Sequence, residues 1–196
     1  MIKTLEQAYQ FVKKMKICTI FESDKVDYPS LWEHVDLPNK QPGEKGWGEK
    51  MTAVWTWKNQ LPSEYPTEIF YGKVKGGTAV LMEMNYLARE HFPKAYEDIQ
   101  TQDELAQHIY SKVAVEPWDT TSLRKAAIED TGCTKSRFDT ALKNLQITMN
   151  IVRLNDTKIE RDTWVPFKEL YLDIWRQYID DENEEFKTPN EGQADL

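Results

Sequence analysis

Between Thr121 and Ile147 the chain carries two helical apolar patterns separated by Thr131-Gly132-Cys133, and no other feature constrains the fold as much. In the second pattern Phe138, Ala141, Leu142 and Leu145 recur at i, i+3, i+4 and i+7, one face of a helix, with Thr134 placed to cap it. In the first, Leu123, Ala126, Ala127 and Ile128 face inward. A short turn containing glycine between two such helices predicts a helix-turn-helix. Upstream, Asp103 to Val115 forms a further helix that ends ahead of Pro117. Downstream, Ile147 to Leu154 is β-like, Asn155-Asp156 is a turn, and Thr157 to Thr163 returns. Three helices followed by a hairpin is the order of a winged helix.

The first half is expected to be a separate α+β unit. Its elements are a helix over Leu5 to Lys14 capped by Thr4, a strand at Ile17 to Phe21, and a short helix at Ser30 to Val35 after Pro29. A loop over Asp36 to Gly46 follows, then a helix from Trp47 to Leu61 stopped by Pro62. On that helix Trp47, Met51, Val54, Trp55, Lys58 and Leu61 share the apolar stripe, and Trp57 lies off it. Thr67 to Lys75 and Thr78 to Met82 pair through Gly76-Gly77, because both glycines accept positive φ. Short helical pieces at Asn85 to His91 and Lys94 to Ile99 are separated by Pro93, and Pro166 to Ile179 closes as an aromatic helix. The expected division is residues 1–100, residues 101–180, and a disordered acidic tail over 181–196. The fold class is therefore α+β, with a winged helix-turn-helix packed on an N-terminal helix and hairpin unit.

Charge separates these parts. Thr120 to Arg161 holds eight bases against five acids, a local +3 in a chain of −8. Asp180 to Leu196 holds seven acids and one base, so the acidity of the chain is mostly a property of its tail. A positive surface on a helix-turn-helix suits phosphate. On the second helix of the pair Lys135, Ser136, Arg137, Thr140, Lys143 and Asn144 are left outside the core face. These residue types contact base edges and phosphates in a major groove. The hairpin adds Arg153, Lys158 and Arg161 for backbone contacts beside the groove. The expected partner is double-stranded DNA, with a protein partner as the competing reading because winged helices also serve as interaction modules. Tyr71-Gly72-Lys73 and Lys75 are taken as solvated edge-strand positions. The tryptophans are expected in the core, although an exposed one could stack on an extruded base.

Signals for catalysis are sparse. His34, His91 and His108 have no metal or triad spacing, and Walker A, dinucleotide and nucleophile-elbow patterns are absent. Neither a metal nor any other cofactor is expected. Glu83, between Met82 and Met84, is expected on the solvent side of its strand; buried instead, its carboxyl would have a raised pKa. Cys18 and Cys133 read as reduced thiols, and the chain has neither a signal-peptide pattern nor a membrane-length apolar run. A cytoplasmic protein is expected.

Several segments resemble one known family. They are Tyr28-Pro29-Ser30-Leu31-Trp32-Glu33, Val54-Trp55-Thr56-Trp57-Lys58-Asn59-Gln60-Leu61-Pro62, Tyr71-Gly72-Lys73, and Arg137-Phe138-Asp139 with Leu142 and Leu145-Gln146. The chain resembles the AlkZ-related proteins, shorter relatives of the AlkZ/YcaQ winged-helix DNA glycosylases. The resemblance implies a DNA-binding scaffold of winged-helix units. In the glycosylases a Gln-apolar-Gln or Gln-apolar-Asp motif places the attacking water. Here Gln100-Thr101-Gln102 has a polar middle residue, and Gln193-Ala194-Asp195 lies in the acidic tail. No catalytic residue is carried over. The expectation is a winged-helix DNA-binding protein linked to repair. Its alternatives are a glycosylase with a different catalytic group and an interaction module whose acidic tail covers the basic face.

Overall fold

A computed structural model describes residues 1–159 and 161–185. Helix α1 (Leu5–Met15) starts where the Thr4 hydroxyl accepts from the Gln7 amide, and it leads into β1 (Ile17–Thr19). After α2 (Leu31–His34) and a long loop comes α3 (Glu49–Glu64). Strands β2 (Ile69–Lys73) and β3 (Ala79–Glu83) turn through Gly76 and Gly77, both at positive φ as expected. The sheet is antiparallel in the order β1-β3-β2, with Ile17 opposite Met82 and Tyr71 opposite Leu81. Side chains alternate across it. Ile69, Leu81 and Cys18 face a core with Val12, Val54 and Leu61, while Phe70, Val80 and Met82 face the other way. Both cysteines are buried and free.

Pro93 does not divide the next segment as its sequence suggests. α4 (Met84–Tyr86), a π-helical turn (Leu87–His91) and α5 (Phe92–Ala95) run on continuously. The wider turn accommodates a residue that has no amide proton to give. Pro62 likewise sits inside α3, near its end, where one missing bond is tolerated. A 3-10 turn (Ile99–Thr101) precedes α6 (Glu104–Val113), which is capped by Asp103.

The second half follows as β4 (Trp118–Asp119), α7 (Thr120–Thr131), α8 (Lys135–Ile147), β5 (Ile151–Arg153) and β6 (Thr163–Pro166). Asp119 caps α7, Gly132 ends it in the left-handed conformation at φ 67°, and Thr134 caps α8. The inward face of α8 carries the expected Phe138, Ala141, Leu142 and Leu145, and Gln146, not expected there, is buried with them. Its sheet has the order β4-β6-β5, with Trp118 opposite Trp164 and Val152 opposite Val165. The hairpin is shorter in strand and longer in loop than its sequence suggests, because α8 keeps residues to Ile147 and pairing resumes only at Thr163. The chain closes with α9 (Phe167–Leu170) and α10 (Leu172–Glu185). The start of the acidic tail is therefore helical to Glu185, since extending a formed helix costs far less than nucleating one. The disorder expected for 186–196, and Gln193-Ala194-Asp195, lie outside the described residues.

A third core cluster draws on both halves: Phe70, Val80 and Met82 meet Met149, Val152, Val165 and Phe167. Glu83 is 2 % exposed and does not face solvent. Burial pushes its carboxyl up, but Lys13 at 3.2 Å and the Tyr86 amide at 3.1 Å outweigh that and hold it below the ordinary range. The ion pair with Lys13 thus favours the charged carboxylate at this position instead of a raised-pKa base. A carboxyl depressed in the folded state stabilises above its unfolded pKa, and that contribution disappears as pH falls through the folded value. His91 is held near 4 by burial and by Lys94, so its neutral form favours the fold above about 6.5. Thermal melts should fall first between pH 6.5 and 4 through His91, then further in stronger acid as Glu83 protonates. Glu83→Gln should lower the neutral-pH melting point and flatten the second phase; an unchanged acid limb would refute the assignment.

Candidate functional site: a cationic cleft beside helix α8

One edge of β2 packs against α8 and β5, and the two halves leave a cleft of about 890 Å³ beside that contact. Its walls are α3, β2, the N-terminal part of α7, one flank of α8 and the β5–β6 loop. The cations Lys58, Lys73, Arg124, Arg153 and Arg161 line it, with Glu64, Asp139, Asp156 and Asp162.

Arg153 stands at its centre. Although the sequence suggested an exposed wing contact, Arg153 is only 6 % exposed. Its Nη1 donates to Asn59 Oδ1 at 2.9 Å and to Asp162 Oδ1 at 3.4 Å, and its Nη2 donates to Asn155 Oδ1 at 3.4 Å. The guanidinium lies 4.0 Å over the Tyr71 ring. Strand alternation explains the difference: Val152 enters the third core cluster, and its neighbour Arg153 turns toward α3 and β2 instead of solvent. Arg153 thus ties the halves together, which a residue held free for a DNA backbone does not do.

Lys58 is a site residue the sequence reading missed. It is 8 % exposed, and its Nζ lies 3.9 Å over the Trp55 ring and 5.4 Å over Tyr71. Burial, then the nearby Arg153, push its pKa down to about 8. Burial also lowers Lys73, which is half-buried in the cleft and not a solvated edge lysine. The available signal was a lysine on an otherwise apolar helical stripe. The stripe itself is rotated from its expected phase: Val54, Trp57, Lys58 and Leu61 are buried, while Trp47 and Trp55 are 60 % and 43 % exposed. Trp47 precedes the Gly48 cap, so it does not share the helix's inward face, and it packs edge-on against Trp55.

The remaining candidates fall on the other side of α8 and on the loop. Lys135, Ser136, Arg137 and Thr140 are exposed, whereas Lys143 and Asn144 are half-buried. The stem of Lys143 lies against the hairpin turn, so closely that a Cβ at Gly77 would meet its Cδ at 2.9 Å. Lys158 and Arg161 are exposed on the β5–β6 loop, with Arg161 3.8 Å from Asp119. Arg124 is paired with Asp139 at 3.0 Å. Gln100 is exposed, and neither it nor Gln102 lines the cleft. Among the described residues no cluster of His, Cys, Asp or Glu is suited to hold a metal, and no helix is long and apolar enough to cross a membrane.

The fold and cleft define a mixed helix-and-sheet protein with two small antiparallel sheets and a cationic cleft beside its C-terminal helical pair. A family model described as AlkZ related matches residues 2–163, and the chain belongs to that family. Comparison with curated proteins and with solved structures gives no match.

Proposed function

We propose that this chain is a winged-helix DNA-binding protein associated with DNA repair, gripping duplex through α8 and the β5–β6 loop. The element order α6, β4, α7, α8, β5, β6 and the sheet order β4-β6-β5 support the winged-helix reading. Membership of the AlkZ-related family supports the link to repair. The observation that carries the proposal is the outward face of α8, where Lys135, Ser136, Arg137 and Thr140 are all exposed. Such a face supplies phosphate contacts from its bases and base-edge contacts from its hydroxyls. Lys158 and Arg161 extend the track on the loop, while Arg153 belongs to the scaffold.

A duplex titration across a salt series tests this. Affinity should fall as salt rises from 50 to 200 mM, in proportion to the number of phosphates engaged. Lys135→Glu with Arg137→Glu should weaken binding about 100-fold at low salt and reduce the slope by roughly two. A flat salt dependence, or no change in the double variant, would reject the reading.

A further inference from the structure

We propose that the cleft between α3, β2 and the β5–β6 loop is a phosphate-binding site, in which Lys58 and Lys73 hold the phosphate of a nucleotide. The inference rests on the DNA-binding reading for the nucleotide, and on the cleft alone for the phosphate.

The case begins with charge. Arg124 is matched by Asp139, and the two Nη atoms of Arg153 donate to Asn59, Asn155 and Asp162, while its buried Nε has no partner. Lys58 and Lys73 have no hydrogen-bond or ion-pair partner among the described residues. Yet Lys58 is more than nine-tenths buried and Lys73 is half-buried, both lining the same cleft. Arg153 and Lys73 both repel the charge on Lys58, while Asp162 partly offsets them. Desolvated cations gathered without enough counter-charge are costly to the fold. A bound anion removes that cost and turns it into affinity.

The chemistry selects phosphate among anions. Two ammonium groups lining one cleft offer several donors without the fixed plane of a guanidinium, which suits the tetrahedral oxygens and double charge of a phosphate monoester better than a planar carboxylate. The Trp55 and Tyr71 rings, 3.9 and 5.4 Å from the Lys58 ammonium, give that charge an apolar surrounding on two sides. At about 890 Å³ the cleft is in the size range of small-molecule sites and accommodates a nucleotide rather than an inorganic ion alone. The half-exposed Trp55 lines the same cleft and provides a fluorescent reporter. Phosphate also raises the pKa of Lys58, so binding near pH 8 takes up a proton.

The test uses the whole chain with thymidine, thymidine 5′-monophosphate, and a thymidine trinucleotide with and without a 5′-phosphate, followed by tryptophan fluorescence and calorimetry. The phosphorylated probes should bind, and thymidine should not. Lys58→Met, which keeps the apolar stem and removes the buried charge, should weaken them by about tenfold or more. It should also melt no lower than the wild type, and Lys58→Arg should retain binding. At pH 8, heats measured in two buffers of different ionisation enthalpy should show net proton uptake on binding, and Lys58→Met should abolish it. Tighter binding of the phosphorylated trinucleotide than of the mononucleotide supports the site and assigns it to a DNA strand end. Equal binding supports it as a site for free nucleotide. Phosphate-independent binding, or Lys58→Met binding as tightly as wild type, overturns it. Duplex binding is scored separately through Lys135 and Arg137. Loss of duplex binding with intact nucleotide binding removes only the DNA reading, and the converse removes only the phosphate site.

Discussion

Phe92→Ala is expected to lower the unfolding free energy by about 4 kcal/mol, measured by urea denaturation at neutral pH. Phe92 is fully buried. Its ring stacks on Phe167 at 4.5 Å and on Tyr96 at 5.3 Å, and it receives Tyr178 and Trp175 edge-on at 5.4 and 6.3 Å. These rings come from α5, α9 and α10 together with the residue after α5, so one truncation opens a cavity shared by segments far apart in the chain. The variant should also lose near-ultraviolet circular dichroism, because Trp175 and Tyr178 lose their fixed setting. A cost below about 1 kcal/mol would mean that α10 is not docked in this cooperative core.

Arg153→Ala should cost about 3 kcal/mol by the same measurement. The loss combines the bonds to Asn59, Asn155 and Asp162 with the contact over Tyr71. Asp162 is largely exposed and can be rehydrated, which keeps the cost below that of an orphaned buried charge. Arg153→Lys should recover little, since an ammonium lacks the planar fork that stacks and bonds to several acceptors at once. Removing the arginine also removes one of the charges repelling Lys58, so the Lys58 pKa should rise toward its ordinary value. Arg161→Ala is the contrast: exposed, with Asp119 3.8 Å away, it should change stability by less than about 0.5 kcal/mol. Equal effects at the two positions would refute the assignment of Arg153 to the scaffold.

Where local chemistry decides, the sequence was a sound guide. The Gly76-Gly77 turn, the Thr134 cap and the inward face of α8 follow from short-range rules of φ, capping and helical period. Strand β4 was not legible, because two residues cannot display a period and Trp118-Asp119 becomes a strand only by pairing with β6. On α3, tryptophans at 47, 55 and 57 made the phase ambiguous, and packing chose Trp57 for the core.

For this protein, then, the sequence by itself determined the α+β class, the spacing of helices α7 and α8 and the apolar face that α8 turns inward. All three depend on neighbours within a turn or two of the chain. The tertiary structure decided which cations are exposed and which are buried. Arg153 and Lys58 lie on elements whose positions suggested a wing contact and an apolar stripe. Both became cleft residues only when β2, α3 and the β5–β6 loop were brought together. Desolvation and charge repulsion act through space, so the chemistry of Lys58 came into being with that contact and was not written at any one position of the chain.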